Sequence, residues 1–198
     1  MNLPNKLSLM RLCLVPLIMI VLVLPESILP SFWSSIVGCA IFVIASVTDC
    51  LDGQIARKYN LITDFGKFID PLADKFMVLG ALLAIVYRSD TLRPFLFWAA
   101  VIVMFRELAV TSIRLLVSRK SNVDMAAHLS GKIKTVAQIV CIIAALLEPL
   151  FYEAFCPNHW VAVYPPVTLF TALVMVVTTI YSGVSYIAFY GKYLDPEK

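Results

Sequence analysis

Long apolar stretches separated by short polar segments dominate the chain, and these stretches do not alternate with a period of two. Inside lipid, backbone amides must be satisfied within a helix or a closed barrel, and unalternating runs of this length favour helices. The pattern therefore predicts an all-α integral membrane protein with six transmembrane helices. The predicted spans cover about residues 9–24, 32–47, 64–87, 95–116, 132–147 and 166–190.

The first ten residues differ from these spans because polar and apolar residues are interspersed there. Asn2, Pro4, Asn5 and Lys6 lie among leucines, a pattern typical of an amphipathic helix at the membrane surface. We therefore expect a short N-terminal interfacial helix before the first span. No small-residue cleavage site follows the first apolar run, so we expect that run to be retained as a helix.

Composition agrees with a membrane protein. Of the 198 residues, 61% are hydrophobic and the mean hydropathy is +0.88, which is too apolar for a soluble domain of this size. We expect one membrane domain covering residues 1–198. The net charge of +3 does not indicate nucleic-acid binding. The cysteines are scattered, without the spacing typical of a metal site or a disulfide framework.

Lysine and arginine are concentrated on alternate connecting segments. The opposite segments carry only Arg88 and Arg93, and such an imbalance places the richer side in the cytoplasm. We therefore expect a multi-pass membrane protein with both termini in the cytoplasm. The richer side contains Lys6, Arg11, Arg57, Lys58, Lys67, Arg114, Arg119, Lys120, Lys132, Lys134, Lys192 and Lys198.

Four aspartates interrupt the apolar sequence at the predicted cytoplasmic ends of the second and third spans. Asp49 and Asp52 are three residues apart, and Asp70 and Asp74 are four apart. At either spacing the two side chains share a face of a helix. Because the link between the two helices is short, we expect the helices to be antiparallel neighbours whose four carboxylates converge.

Clustered carboxylates in a low-dielectric site cannot all stay ionised without nearby cations. Hard divalent cations take oxygen ligands, and pairs of them clamp phosphoryl oxygens. Arg57 and Lys58 follow the first acid pair and could meet phosphate charge. The acids therefore predict metal-assisted phosphoryl chemistry at the cytoplasmic interface. The alternatives are solvated loop charges or a membrane cation carrier, although a carrier is expected to hold its acids near the bilayer midplane.

The residues around the aspartates form the pattern D-x-x-D-G-x-x-A-R-x8-G-x3-D-x3-D. This pattern resembles the signature of the CDP-alcohol phosphatidyltransferase family. The resemblance implies the family's six-helix fold, transfer of a phosphatidyl group from CDP-diacylglycerol to an alcohol with release of CMP, two Mg2+ or Mn2+ ions, and a homodimer. The matching positions are Asp49, Asp52, Gly53, Ala56, Arg57, Gly66, Asp70 and Asp74.

The same resemblance implies roles for these residues. Asp74 would join the metal site and also serve as the base that deprotonates the acceptor hydroxyl. The implied metal ligands are Asp49, Asp52, Asp70 and Asp74. The implied CDP-binding residues are Asp52, Gly53, Ala56, Arg57 and Gly66. These roles agree with the chemistry, since cations neutralise a diphosphate and a base must reach the acceptor proton.

Other segments resemble the family members that use sn-glycerol 3-phosphate as the acceptor and make phosphatidylglycerophosphate. These segments are residues 2–11, 70–75, 106–107 and 131–135. This acceptor is a dianion and needs cations beyond those that bind CDP. The expected acceptor-phosphate residues are Arg106, Arg114, Lys132 and Lys134.

Several alternatives stay open for this basic set. Lys132 and Lys134 could instead be positive anchors at the start of a span. Glu107 points about 100° away from Arg106 on a helix and could bind a different partner. Family members that make phosphatidylinositol phosphate, cardiolipin or phosphatidylserine share the acidic signature, but an uncharged acceptor such as inositol or serine would make the extra cations less necessary.

Overall fold

The computed structural model describes residues 3–58, 64–120, 129–155 and 164–190, and the regular structure within these ranges is entirely helical. This confirms the predicted all-α fold. The helices are α1 (Leu3–Val23), α2 (Ser31–Lys58), α3 (Asp64–Arg88), α4 (Arg93–Lys120), α5 (Leu129–Phe155) and α6 (Pro166–Tyr190).

Five of these helices, α1, α2, α4, α5 and α6, are long and apolar enough to cross a membrane within the described residues. The chain is therefore a multi-pass membrane protein. Helix α3 has 25 residues, roughly 38 Å at 1.5 Å per residue, which exceeds the thickness of a hydrocarbon core. Charged residues occupy its first half, and the sixth span stays a prediction for this helix.

Helix α1 is continuous from Leu3 to Val23, which corrects the expected separate interfacial helix. Asn5, Ser8 and Arg11 are only 7%, 1% and 0% exposed. Their three-residue spacing places them on one face of the helix. Because that face is buried against other helices, Asn5, Ser8 and Arg11 point into the bundle and do not form the exposed polar face of a surface-lying helix.

Helix α1 also occupies most of the space between α2 and α3. It is the main neighbour of both, whereas α2 and α3 contact each other only slightly among the described residues. This corrects the expectation that α2 and α3 pack directly together. Two glycines permit the close approach: a Cβ on Gly38 would lie 2.6 Å from Leu22 Cδ2, and one on Gly80 would lie 3.0 Å from Val15 Cγ1.

The remaining helices complete the bundle around an apolar core. Phe42, Leu82, Leu96, Ile142 and Met175 are among its buried side chains, and they come from α2, α3, α4, α5 and α6. Helix α6 packs against both α4 and α5. Many large apolar side chains remain exposed on the outside, as expected where the solvent is lipid.

Glu148 joins α5 to α6. Its buried carboxylate accepts hydrogen bonds from the backbone N–H groups of Val167, at 2.9 Å, and Thr168. N–H groups in the first turn of a helix have no partner within that helix. The negative charge also complements the positive end of the helix dipole. Glu148 therefore caps α6 from a neighbouring helix.

We expect Glu148→Ala to lower the free energy of unfolding by about 1–3 kcal/mol, because it leaves buried donors unsatisfied. Denaturant or thermal unfolding in detergent measures this loss. Glu26→Ala is the control, since Glu26 is an exposed glutamate in a turn. An equal loss in both variants would contradict the capping role.

Candidate active site

Three of the four signature aspartates have described side chains, and these come together at one end of the bundle. Asp49 lies near the end of α2, and Asp70 and Asp74 lie in the first half of α3. The negative charge of Asp70 acts on Asp49, and that of Asp49 acts on Asp74. The side chain of Asp52 lies outside the described residues. The three described acids therefore lie close enough to interact electrostatically, although α1 lies between their helices.

Two side chains of α1 bind these acids directly. Arg11 Nη1 forms an ion pair and hydrogen bond with Asp49 Oδ1, and Ser8 Oγ donates to Asp70 Oδ1. The sequence analysis missed both contacts, since it counted Arg11 only among the cytoplasmic basic residues. The available signal was the three-residue spacing from Asn5 to Ser8 to Arg11, which matches one helix face.

The residues implied to bind CDP follow Asp49 along α2. Its backbone is helical as far as Lys58, so the signature continues on the same helix as predicted. Gly66 is buried at the start of α3. The side chains of Ala56 and Arg57, and the surroundings of Gly53, lie outside the described residues.

The predicted arginines of α4 face α6. Arg106 Nη2 donates to Ser182 Oγ at 2.6 Å, and Arg114 Nε donates to Tyr186 Oη at 3.5 Å. Ser182 and Tyr186 are themselves four residues apart on α6. The two arginines therefore share one helix face, as their spacing predicted, and α6 supplies hydroxyl partners that the sequence analysis did not identify.

Glu107 links the basic residues of α4 and α5. Its Oε1 accepts from Lys134 Nζ and, at 3.3 Å, from Arg106 Nη1. Lys134 is only 6% exposed, so it does not serve as a positive anchor at the surface. Lys132 is exposed, which suits an anchor. Glu107 therefore binds a partner on another helix, Lys134, as its direction on α4 suggested. It also contacts its neighbour Arg106.

A small cavity lies between Asp74 and this basic set. Its volume is about 10 Å3, room for about one water molecule. Lys75 Nζ, at its edge, donates to Thr111 Oγ1 at 2.5 Å. Gln138 Nε2 is buried and has no partner among the described atoms. The polar residues that line the cavity are Asp74, Lys75, Glu107, Lys134 and Gln138.

The donor set of the acidic cluster fits divalent metal ions. Asp49, Asp70 and Asp74 offer hard carboxylate oxygens, the ligands that Mg2+ and Mn2+ prefer. Their mutual repulsion is relieved when a cation binds. The described side chains alone do not form a group of three acids around one point, and Asp52, whose side chain is outside the described part, is the predicted additional ligand.

The family model of the CDP-alcohol phosphatidyltransferases matches residues 1–182. The chain belongs to this family. The match confirms the resemblance seen in the acidic signature. Family members are generally dependent on divalent metal ions, in agreement with the oxygen donors at this end of the bundle.

Curated relatives cover most of the chain. The CDP-diacylglycerol–glycerol-3-phosphate 3-phosphatidyltransferase of Bacillus subtilis is 42% identical over 161 residues, covering 77% of this chain and 80% of that protein. A probable phosphatidylglycerophosphate synthase of Mycobacterium tuberculosis is 36% identical over 187 residues, covering 94% and 80%. The Salmonella typhimurium CDP-diacylglycerol–glycerol-3-phosphate 3-phosphatidyltransferase is 33% identical over 199 residues, covering 98% of each protein.

Proposed function

We propose that the chain is a single domain, residues 1–198, that transfers a phosphatidyl group from CDP-diacylglycerol to sn-glycerol 3-phosphate. The products are phosphatidylglycerophosphate and CMP, in the biosynthesis of anionic phospholipids. One observation carries the proposal: Asp74 and the buried pair of Lys134 and Glu107 line the same cavity. The names of the bacterial relatives support the same acceptor.

In this proposal the signature residues bind the donor. Two Mg2+ or Mn2+ ions, when bound, neutralise the diphosphate and stabilise the charge that develops during transfer. Asp52, Gly53, Ala56, Arg57 and Gly66 line the CDP site, and the acyl chains stay in lipid. The metal ligands are Asp49, Asp52, Asp70 and Asp74.

Asp74 is the proposed catalytic base. The acceptor hydroxyl oxygen bonds to the phosphorus that carries diacylglycerol, the bond from that phosphorus to the CMP oxygen breaks, and the hydroxyl proton goes to Asp74. A base must lie within hydrogen-bond reach of the proton it takes. Asp74 and Lys134 line one cavity, so a phosphate at Lys134 would bring the acceptor hydroxyl near Asp74. The cavity has room for about one water molecule, so it must widen to admit the acceptor.

The acceptor phosphate is bound by Arg106, Arg114, Lys132 and Lys134. Ser182 and Tyr186 hold the two arginines by hydrogen bonds, and a planar guanidinium suits bidentate contact with phosphate. Among the described side chains, Glu107 is the acid that pairs with both Arg106 and Lys134. Arg106 and the buried Lys134 share the carboxylate of Glu107, and the phosphate of a phosphorylated acceptor would pair with both cations better than uncharged inositol or serine would.

We also propose an orientation and an assembly. Both termini and the site face the cytoplasm of a bacterial cell membrane, which the distribution of lysine and arginine favours. Water-soluble glycerol 3-phosphate and CMP can then enter and leave the site. A homodimer is the assembly that the family resemblance implies.

Release of CMP tests the function. Purified protein in detergent is expected to release CMP from CDP-diacylglycerol only when glycerol 3-phosphate and Mg2+ or Mn2+ are both present. A chelator is expected to abolish the release, and added divalent ions to restore it. Cation transport in proteoliposomes without CMP release would contradict the proposal and favour the membrane cation carrier.

A further inference from the structure

We propose that Ser8 and Arg11 of α1 are positioning residues that set the orientation of Asp49 and Asp70 for metal binding. The inference rests on the metal site of the proposed function. It concerns residues outside the acidic signature, on a helix that the signature does not include. The structure motivates it through two direct contacts, Arg11 with Asp49 and Ser8 with Asp70.

The packing of the helices explains why such residues are needed. Asp49 and Asp70 belong to α2 and α3, which contact each other only slightly among the described residues. Helix α1 is the main neighbour of both, and its Arg11 and Ser8 each contact one of the two carboxylates. Further along α1, Leu22 packs closely against Gly38 and Val15 against Gly80, and these contacts hold α1 against α2 and α3.

The contacts also leave the acids able to bind an ion. Arg11 and Ser8 each contact the Oδ1 atom of their aspartate, and a carboxylate has a second oxygen and further lone pairs. Partners of this kind fix the rotamer of a metal ligand, and their loss typically weakens metal binding by 10–100-fold. Ser8 and Arg11 would therefore act through the aspartates, without touching the substrate.

Arg11 could instead compete with the metal ion, since both are cations that contact Asp49. Two observations favour positioning. Arg11 is 0% exposed, so its guanidinium, which is always charged, is shielded from water and held against Asp49. Asp49 also interacts with Asp70 and Asp74, and the acids Asp49, Asp70, Asp74 and Glu107 outnumber the cations Arg11 and Lys134 that act on Asp49 and Asp74. The remaining negative charge attracts the ion while Arg11 stays in place.

Mn2+ binding to the purified protein, measured by electron paramagnetic resonance without any substrate, tests the inference. We expect Arg11→Met to weaken Mn2+ binding by about 10–100-fold, Arg11→Lys to weaken it less, and Ser8→Ala to weaken it several-fold. Matched controls lie at the opposite end of the bundle. Arg88→Met removes hydrogen bonds to Ser34 and Ser31, and Ser34→Ala removes one to the carbonyl of Val21. Both controls are expected to keep the wild-type affinity.

The outcomes separate this inference from the proposed function. Unchanged or tighter Mn2+ binding by Arg11→Met would overturn the positioning role and indicate competition. If Arg11→Met does not fold, the Mn2+ affinities of Ser8→Ala and Arg11→Lys test the inference. Wild-type affinity in both of these variants would overturn the positioning role. The wild-type protein could fail to release CMP while the variants show the expected order of Mn2+ affinities. That combination would reject the proposed reaction and support the positioning role.

Discussion

Asp74→Asn is expected to lower the turnover of CMP release by about 10²–10⁴-fold, the usual contribution of a positioned general base. Asparagine has nearly the same size and keeps one oxygen that can bind a metal ion, but its amide cannot take up a proton. Because the asparagine oxygen can still bind a metal ion, loss of proton transfer should dominate the effect. Steady-state CMP release at saturating substrates measures the change.

Asp90→Asn is the matched control for this variant. Asp90 is an exposed residue at the other end of α3, where it pairs with Arg93, and exposed pairs of this kind contribute little. The control is expected to keep its turnover. If Asp74→Asn keeps a turnover near the wild-type value, Asp74 is not the catalytic base. Its remaining proposed role would then be that of a metal ligand.

Lys134→Met is expected to raise the KM for glycerol 3-phosphate by roughly 10–100-fold. The buried ammonium would make a charge-assisted hydrogen bond to the acceptor phosphate, and such bonds contribute about 1.5–3 kcal/mol. The KM for CDP-diacylglycerol should change little, because the donor is bound by the signature residues of α2 and α3. Titrating each substrate at a saturating level of the other measures the two constants separately.

Lys6→Met is the control for Lys134→Met, because Lys6 is an exposed lysine at the same end of the bundle. We expect it to leave both constants at their wild-type values. A rise of equal size in both constants for Lys134→Met would contradict an acceptor role. It would instead indicate a general loss of structure caused by leaving Glu107 without its lysine partner.

The positions of the helices and the face shared by Arg106 and Arg114 could be predicted because they depend on local periodicity. Apolar runs define a helix, and a spacing of eight residues places two side chains on one face. The contacts of Arg106 with Ser182 and of Arg114 with Tyr186 agree with that prediction. The spacing also predicted that Asp70 and Asp74 share a face of α3, whereas the gathering of all four carboxylates around one point stays a prediction.

The role of α1 could not be predicted in the same way. A short connection brings two helix ends together, but it does not decide which third helix fills the space beside them. Polar residues near a terminus, such as Asn5 and Ser8, show the same spacing whether they face the membrane surface or a buried acid. The partners of Glu107 and Gln138 also depend on how α3, α4 and α5 pack, and that packing has no local signature in the sequence.

The identity of the lipid product tests the central claim most directly. Purified protein is given CDP-diacylglycerol, Mg2+ and an equimolar mixture of glycerol 3-phosphate, inositol phosphate, inositol, serine and phosphatidylglycerol, and the lipids are analysed by mass spectrometry. We predict phosphatidylglycerophosphate as the product, with CMP formed in equal amount. Phosphatidylinositol phosphate, phosphatidylinositol, phosphatidylserine or cardiolipin as the main product would contradict the proposed acceptor.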